Sequence, residues 1–349
     1  MFDQEYAEYE IYPGNRRASA QLDALLEREG IRKDGNLEYT LGLYDGEGEL
    51  IATGSVFKNT LRCMAVDSRH QGEGLMNRVV TRLVSYQAQR GIFDLFLYTK
   101  CSTAKFFGDL GFYEICRVPG QVVFMENRRD GFARYLAELG EGGPGETRAA
   151  VIMNANPFTL GHRYLVERAA AENDRVHLFV VSEEASLVPF AARYRLVEEG
   201  VADLPNVTLH TTGPYMISSA TFPSYFLRDS EDVIQAQARL DIQVFQRIAA
   251  ALGITARYVG EEPFSQVTGI YNTVMAEELG KAGLRCVVIP RREQAGAAIS
   301  ASAVRRLIQE GRMEEMRGLV PETTYRFFTS QEGAETVRRI REAGDVVHY

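Results

Sequence analysis

Residues 148–163, with the sequence RAAVIMNANPFTLGHR, combine the features of a phosphate-binding turn. Residues 149–153 are apolar or small and are typical of a buried strand, and a helical pattern begins directly after Gly161 and His162. Backbone N–H groups and the positive dipole end at the start of a helix favour an anion. Gly161 lets a ligand approach the backbone, and Thr159 and His162 add side-chain donors. The segment therefore predicts a phosphate site.

A second group of phosphate donors lies far downstream, in residues 299–305, which read ISASAVR at the start of another helical pattern. Ser300 and Ser302 offer hydroxyl groups, and the guanidinium of Arg305 suits bidentate contact with phosphate. Taken alone, the two serines are more typical of a helix N-cap. The upstream turn favours the phosphate interpretation.

Strand-like and helical patterns alternate through the second half of the chain, and polar residues follow several predicted strands. Asn154 and Asn156 follow the first strand, 182–184 the second, 260–262 a later one and 290–292 the last. Alternation of this kind predicts an α/β fold with a doubly wound parallel sheet and ligand sites at the carboxyl ends of its strands. The predicted strands are 149–153, 175–181, 207–210, 255–259 and 286–289, and the predicted helices are 160–172, 189–200, 231–252, 267–279 and 302–309.

The first part of the chain carries a different loop, in residues 69–74, which read RHQGEG between a strand and an amphipathic helix. Gly72 and Gly74 allow the backbone N–H groups to surround a pyrophosphate, and Arg69 adds charge. The alternative is that the two glycines only close a turn. The predicted order here is helix 18–29, strands 39–44, 50–57 and 61–66, helix 75–90, strand 93–98, helix 102–110 and strand 121–126.

Length and composition limit the class of protein. A chain of 349 residues with 45% hydrophobic and 25% charged residues is expected to form two soluble globular domains. A break at 141–146 places the boundary between domains at 1–140 and 147–349. The net charge of −8 argues against a general nucleic-acid-binding protein, and no apolar run approaches the length of a membrane span. Four cysteines without a CxxC pair, and the lack of a signal peptide, predict a reduced cytoplasmic protein without a metal site of its own.

The motifs resemble those of two superfamilies. Residues 159–162, TLGH, are similar to the T/HxGH signature of the nucleotidylyltransferases, and 299–305 are similar to their ISxTxxR signature. Residues 69–74 match the R/QxxGxG/A coenzyme A loop of GNAT acetyltransferases, and 110–112 resemble the LGF turn near the end of that fold. The expected fold is therefore a GNAT-like α+β domain followed by a nucleotidylyltransferase domain of the HIGH type.

Together the motifs resemble the citrate lyase ligase family, which joins these two domains in this order. The residues that carry the resemblance are 156–165, 180–183, 259–265, 271–272 and 299–305. This chain has Ser302 where the family usually has threonine, which keeps the hydroxyl group. Thr159 replaces the first histidine of the HxGH signature, as in the family, so a mechanism with two histidines is excluded.

The resemblance implies an enzyme that uses ATP and Mg²⁺ to adenylate acetate and passes the acetyl group to a thiol. That thiol belongs to the coenzyme-A-like prosthetic group of the citrate lyase acyl carrier subunit. We expect His162 and Thr159 at the α-phosphate, and Arg305 with the two serines at the β- and γ-phosphates. The residues expected to shape or contact the ATP site are Asn156, Phe158, Gly161, Gly260, Glu262, Ser300 and Ser302.

Two alternatives concern the first domain. It is either a non-catalytic module that binds the thiol arm through Arg69, Gln71, Gly72 and Gly74, or a true N-acetyltransferase. In the second case the chain would be bifunctional, and its second domain would adenylate a phosphorylated small molecule such as phosphopantetheine. Residues suited to proton transfer in an acetyltransferase are available at Tyr98, Tyr113 and Glu114, but the sequence singles out none of them.

Overall fold

A computed structural model describes residues 6–143, 145–216, 222, 230–261, 266–294 and 296–343. The chain divides into two compact units. The first comprises Met1–Phe132 and Phe222–Leu240, and the second comprises Ala133–Thr221 and Asp241–Tyr349. The chain therefore returns to the first unit through the early part of a long helix. The division into domains 1–140 and 147–349 remains a prediction.

The first unit is built on a seven-stranded mixed sheet with the strand order β1-β2-β3-β4-β5-β7-β6. Helix α2 packs over the sheet face that includes Leu41 and Leu43, and α1 packs over the opposite face, at Tyr44. The elements are β1 (Ala7–Glu10), α1 (Arg16–Arg28), β2 (Tyr39–Tyr44), β3 (Leu50–Phe57), β4 (Thr60–Val66), α2 (Leu75–Gln89), β5 (Phe96–Thr99), α3 (Ala104–Asp109), β6 (Tyr113–Val118) and β7 (Val122–Glu126).

Strands β4 and β5 are parallel neighbours that diverge. Within the described residues they pair at only two positions, Thr60 with Phe96 and Leu61 with Leu97. Beyond these positions β4 continues beside β3, and β5 continues beside β7. The backbone groups on the facing edges of the two strands are therefore left without a partner strand towards the carboxyl ends, where an extended ligand can bond to them.

The second unit contains a five-stranded parallel sheet with the strand order β10-β9-β8-β11-β12. Strand β8 is central, and its small and apolar residues are almost all buried, as expected for a parallel sheet covered on both faces. After α4 (Gly131–Leu139), the elements are β8 (Arg148–Met153), α5 (Leu160–Glu172), β9 (Arg175–Val180), α6 (Phe190–Gly200), β10 (Val207–Thr211), α7 (Ser230–Leu252), β11 (Ala256–Gly260), α8 (Gln266–Lys281), β12 (Arg285–Ile289), β13 (Glu293–Gln294), β14 (Ala297–Ala298), α9 (Ala301–Gln309), α10 (Met313–Met316), α11 (Glu322–Thr329) and α12 (Ala334–Glu342).

Most predicted elements are present within one to three residues of their expected bounds, and the α/β class with a parallel sheet is confirmed. Sequence patterns did not predict the edge strands β1 and β6, the short strands β13 and β14, or the three helices after α9. Among the described residues no helix is long and apolar enough to cross a membrane. None of the four cysteines, all of which lie in the described part of the chain, forms a disulfide.

Candidate functional site

The turn after β8 is held by a reciprocal cap between Thr159 and His162. Thr159 is the N-cap of α5, and its Oγ1 accepts a bond from the N–H of His162 at 3.3 Å. In return, Nδ1 of His162 accepts from the backbone N–H of Thr159 at 3.1 Å and lies 2.9 Å from its Oγ1. This arrangement is a capping box in which histidine takes the place usually held by Glu or Gln.

The cap determines the chemistry of His162. Because Nδ1 accepts a bond from a backbone N–H, the proton of the neutral imidazole resides on Nε2, which is then a donor. Desolvation, and after it the charge of Arg291, lower the pKa of His162 to about 4. At neutral pH the side chain is therefore an uncharged donor. The ring of Phe158, which is 0% exposed, stacks on the imidazole with the centroids 6.0 Å apart.

Two contacts bring the two predicted phosphate motifs together. A Cβ atom at Gly161 would lie 2.8 Å from the carbonyl oxygen of Ile299, so only glycine allows this approach. Arg305, which is 6% exposed, donates through Nη1 to the carbonyl oxygen of Asn156. Its Nε has no hydrogen-bond partner among the described residues, and desolvation lowers its pKa. The start of α5 and the start of α9 thus form one site.

The remaining predicted nucleotide residues lie around this contact. Ser300 is the N-cap of α9, and its Oγ accepts from the N–H of Ala303 at 3.1 Å, which leaves its own O–H able to donate. Ser302 is partly buried in the first turn of α9. Gly260 ends β11, and no described residue lies within 4 Å of the place where a Cβ atom would be. Glu262 lies outside the described residues.

Fewer backbone donors are available at the start of α5 than the sequence suggested. The N–H of Leu160 donates to the carbonyl oxygen of Leu319 at 2.9 Å, and that of His162 donates to Thr159. In the described part of the chain, the N–H of Gly161 has no partner. The backbone contribution to an anion site here is therefore one N–H group, beside the Nε2 of His162.

Arg193, a fully buried arginine in the first turn of α6, was not among the residues that the sequence predicted for the site. Its Nη1 donates to the carbonyl oxygens of Asn154 and Val181 at 2.7 and 2.8 Å, its Nε to that of Val188 at 3.1 Å, and its Nη2 to that of Glu183. These carbonyls belong to the loops after β8 and β9. The signal in the sequence was an arginine on the buried face of α6, three residues after Phe190 and three before Leu196.

The glycine loop of the first unit has the backbone conformation that the sequence predicts. Gly72 and Gly74 have φ angles of 88° and 75°, and Gly74 caps α2 without a side-chain bond to the helix amides. Gln71 is exposed. Arg69 is also exposed, and it forms two bonds to Asp67, from Nε at 2.9 Å and from Nη2 at 2.7 Å.

An acidic side chain lies within this loop. Glu73 accepts a hydrogen bond of 2.6 Å from the hydroxyl of Tyr6, and this bond lowers the pKa of its carboxyl group. An anion placed at this loop would therefore have to bind to the backbone amides of α2. The possible proton-transfer residues behave differently from one another: Glu114 is paired with Arg117, Tyr98 is buried against Phe124, and Tyr113 is exposed.

The sheet orders and the joined motifs define a nucleotidylyltransferase-like domain that follows a GNAT-like domain. A family model described as the citrate lyase ligase C-terminal domain matches residues 148–328. [Citrate [pro-3S]-lyase] ligase of Klebsiella pneumoniae is 38% identical over 312 residues, 88% of this chain and 91% of that protein. The ligase of the same name from Escherichia coli (strain K12) is 36% identical over 315 residues, 88% of this chain and 89% of that protein. The chain belongs to the citrate lyase ligase family.

The first unit is also similar to a solved structure, a putative acyl-CoA N-acyltransferase from Klebsiella pneumoniae. Sequence identity is 21% and the TM-score is 0.30, over 36% of this chain and 97% of that chain.

Proposed function

We propose that the protein is an ATP-dependent ligase that adenylates acetate and transfers the acetyl group to the thiol of the citrate lyase acyl carrier subunit, which activates citrate lyase. The relatives are named as ligases of citrate lyase, which supports citrate lyase as the acceptor of the acetyl group. Membership of this family also supports the ligase function over the bifunctional alternative. The observation that carries the adenylation half is the contact between Gly161 and the Ile299 carbonyl, which joins the two phosphate motifs.

In this proposal Nε2 of His162 donates to the α-phosphate together with the N–H of Gly161. Thr159 is 1% exposed, and its hydroxyl bonds to His162, so it acts by orienting the imidazole. An oxygen of acetate attacks the α-phosphorus, the bond to the β-phosphate oxygen breaks, and pyrophosphate leaves. No proton moves in this step, and a neutral donor suffices to stabilise charge in the transition state.

The second motif holds the leaving group. We assign the hydroxyls of Ser300 and Ser302 to the β- and γ-phosphates. Arg305 adds positive charge there while it fixes the carbonyl of Asn156. Asn156 also fixes the opposite loop, because its Oδ1 accepts from the N–H of Val188 at 3.0 Å. Phe158 shapes the turn from within the core. Gly260 and Glu262 are assigned to the border of the adenosine.

Mg²⁺ fits this site as a partner of ATP. The described residues include no group of three or more His, Cys, Asp or Glu that could hold a metal ion. Mg²⁺ characteristically binds phosphate oxygens and waters and needs few protein ligands. It would neutralise charge on the phosphates, and Ser300 and Ser302 would orient the phosphate oxygens that carry it.

The thiol arm is assigned to the first unit. The amides at the start of α2, with Gly72 and Gly74, would bind its phosphates, and Gln71 and Arg69 would border them. Beyond the two paired positions, the facing backbone groups of β4 and β5 have no partner strand, and we assign the extended part of the arm to them. We propose binding of the arm, without catalysis, as the role of this unit, and the cytoplasm as the location of the protein.

The test of this function is ATP–pyrophosphate exchange, measured with acetate, other small acids and phosphopantetheine in turn. We expect exchange that depends on acetate, and a rate lowered by about a hundredfold in His162→Ala, the typical effect of losing a transition-state donor. A melting profile would show that the variant is folded. Exchange with phosphopantetheine and not with acids would replace this proposal with the bifunctional alternative.

A further inference from the structure

Asn154 places a polar side chain at the carboxyl end of the central strand of the parallel sheet. It is the first residue after β8, and it is exposed. Ligands of open α/β sheets bind beyond the carboxyl ends of the strands. The carbonyl oxygen of Asn156, two residues further on, accepts a bond from Arg305 of the second phosphate motif. Because Cα atoms two residues apart are separated by about 7 Å at most, Asn154 lies on the same turn as the proposed phosphate site.

The side-chain amide of Asn154 is fixed by Ser186. Its Nδ2 donates to Oγ of Ser186 at 3.0 Å, and its Oδ1 accepts from the same hydroxyl at 3.2 Å. Ser186 is 9% exposed and belongs to the loop after β9. Because an amide nitrogen carries two hydrogens, one N–H of Nδ2 has no partner in the described part of the chain. This N–H is a donor whose direction is set before a ligand arrives.

The backbone around this amide is fixed as well. The carbonyl oxygen of Asn154 accepts from the buried Arg193 at 2.7 Å. Asn156 links the same two loops again, since its Oδ1 accepts from the N–H of Val188 at 3.0 Å. The loops after β8 and β9 are therefore joined at two positions by asparagine side chains. A donor held in this way loses little freedom when it binds a ligand, which favours precise orientation of that ligand.

The strand order leaves one side of the crevice for the acid. Strand β8 lies between β9 and β11. Gly260, which we assign to the border of the adenosine, ends β11, whereas the bond to Ser186 directs the amide of Asn154 towards the loop after β9. The α-phosphate is assigned to the turn after β8, between the two. An acid held by Asn154 would therefore reach the α-phosphorus from the side away from the adenosine.

We propose that the side-chain amide of Asn154 binds the carboxylate of the acid substrate and orients it towards the α-phosphorus, and that Ser186 positions the amide. The inference rests on the proposed function and adds the residue that binds the acid. One carboxylate oxygen forms the bond to phosphorus, the phosphoanhydride bond breaks, and its electron pair leaves with pyrophosphate. The other oxygen keeps the hydrogen bond from Nδ2 and becomes the carbonyl oxygen of the acyl-adenylate. A neutral donor suits this step, because an ion pair would hold the carboxylate more strongly in the ground state.

The experiment measures ATP–pyrophosphate exchange in Asn154→Ala and Ser186→Ala, with Asn36→Ala, at an exposed position of the first unit, as the control. Initial rates give KM for acetate and KM for ATP. For Asn154→Ala we expect KM for acetate to rise about tenfold, the typical effect of losing a hydrogen bond to a charged group, and KM for ATP to change less than about threefold. Ser186→Ala should raise KM for acetate by a smaller factor, because the amide loses its orientation and keeps its N–H groups. Asn36→Ala should match wild type.

Asn154→Asp separates binding of the acid from a role in loop structure. Its carboxylate can still accept from the hydroxyl of Ser186, so the link between the loops remains, but it offers no N–H and repels acetate. We expect KM for acetate to rise further than in Asn154→Ala. A purely structural role for Asn154 predicts instead that the aspartate variant resembles wild type.

Three results would overturn the assignment: an unchanged KM for acetate in Asn154→Ala, an equal rise in both KM values of that variant, or a wild-type KM for acetate in Asn154→Asp. Calorimetric titration with ATP alone supplies the check on folding, since a folded Asn154→Ala protein should bind ATP as wild type does. If it does not fold, the aspartate variant decides the question. The proposed function fails in a different way, because wild-type protein would then show no exchange with any carboxylic acid, and both proposals would fall together.

Discussion

His162 illustrates how a backbone bond sets side-chain chemistry. Its Nδ1 accepts from the N–H of Thr159, so the donor is Nε2, and burial removes its charge. The sequence identified the histidine and the threonine. The sequence could not predict the hydrogen bonds between these two residues, because Thr-x-x-His is not a usual capping pair. It also could not show that Thr159 is buried.

The lowered pKa makes a prediction about pH. Because the pKa of His162 is about 4 in the folded protein against 6.5 for a free side chain, the imidazole stays neutral through the whole physiological range. The exchange rate at saturating ATP and acetate should therefore show no histidine titration between about pH 5.5 and 8. Between those two pKa values the unfolded chain binds more protons, so this group also makes the protein less stable as the pH falls from 6.5 towards 4. A rate that declines with a midpoint near 6.5 would contradict the assigned protonation state.

At the scale of elements, the contact between α5 and the segment before α9 depends on one glycine. Gly161→Ala would place a Cβ atom 2.8 Å from the Ile299 carbonyl, so the two motifs must move apart. We expect the variant to lose most exchange activity and to melt at a lower temperature. Gly280→Ala, inside α8 with open space around its Cα, is the matched control and should keep both. Full activity in Gly161→Ala would show that the close approach is unnecessary.

Arg193 holds together the loops after β8 and β9, and the first of these loops carries Asn156. Replacement of Arg193 by lysine keeps a charge but cannot reproduce bonds to four carbonyl groups in two loops. We expect Arg193→Lys to lose about 3 kcal/mol or more of unfolding free energy, because buried carbonyls lose their donors. Denaturant unfolding measures this, with Arg195→Lys as the control, because Arg195 lies two residues further along α6 and its side chain is 39% exposed. Equal stability of the two variants would show that the hydrogen bonds of Arg193 add nothing to stability beyond ordinary packing.

Sequence patterns predicted the parallel sheet and nearly all helices before α10, because small and apolar runs alternate there with clear helical periods. They failed at the edge strands. Strand β1 reads AEYE and is partly or fully exposed, and half of β6 is exposed, so neither has the buried alternation that marks a strand. Arg193 was missed for a related reason: a buried arginine looks like a surface residue until its carbonyl partners are known.

At the scale of the whole molecule, we propose that each of the two units serves a different half-reaction. Adenylation needs only residues of the second unit, and the loop with Gly72 and Gly74 would serve the acceptor thiol. Both glycines have positive φ angles that other residues rarely adopt. Replacing both with valine should therefore reduce acetyl transfer to the acyl carrier subunit and leave ATP–pyrophosphate exchange intact. Loss of both half-reactions, or of neither, would show that the loop does not serve the acceptor thiol.

The most direct test of an acyl-adenylate follows the oxygen atoms. With acetate labelled with ¹⁸O in both carboxylate positions, one labelled oxygen forms the new bond to the α-phosphorus. The carrier thiol then attacks the acyl carbon, and AMP leaves with that oxygen. Mass spectrometry of a complete reaction with ATP, acetate and the thiol-bearing acyl carrier subunit should find one ¹⁸O in AMP and none in pyrophosphate. Unlabelled AMP, or label in a released phosphate, would contradict adenylation of acetate at this site.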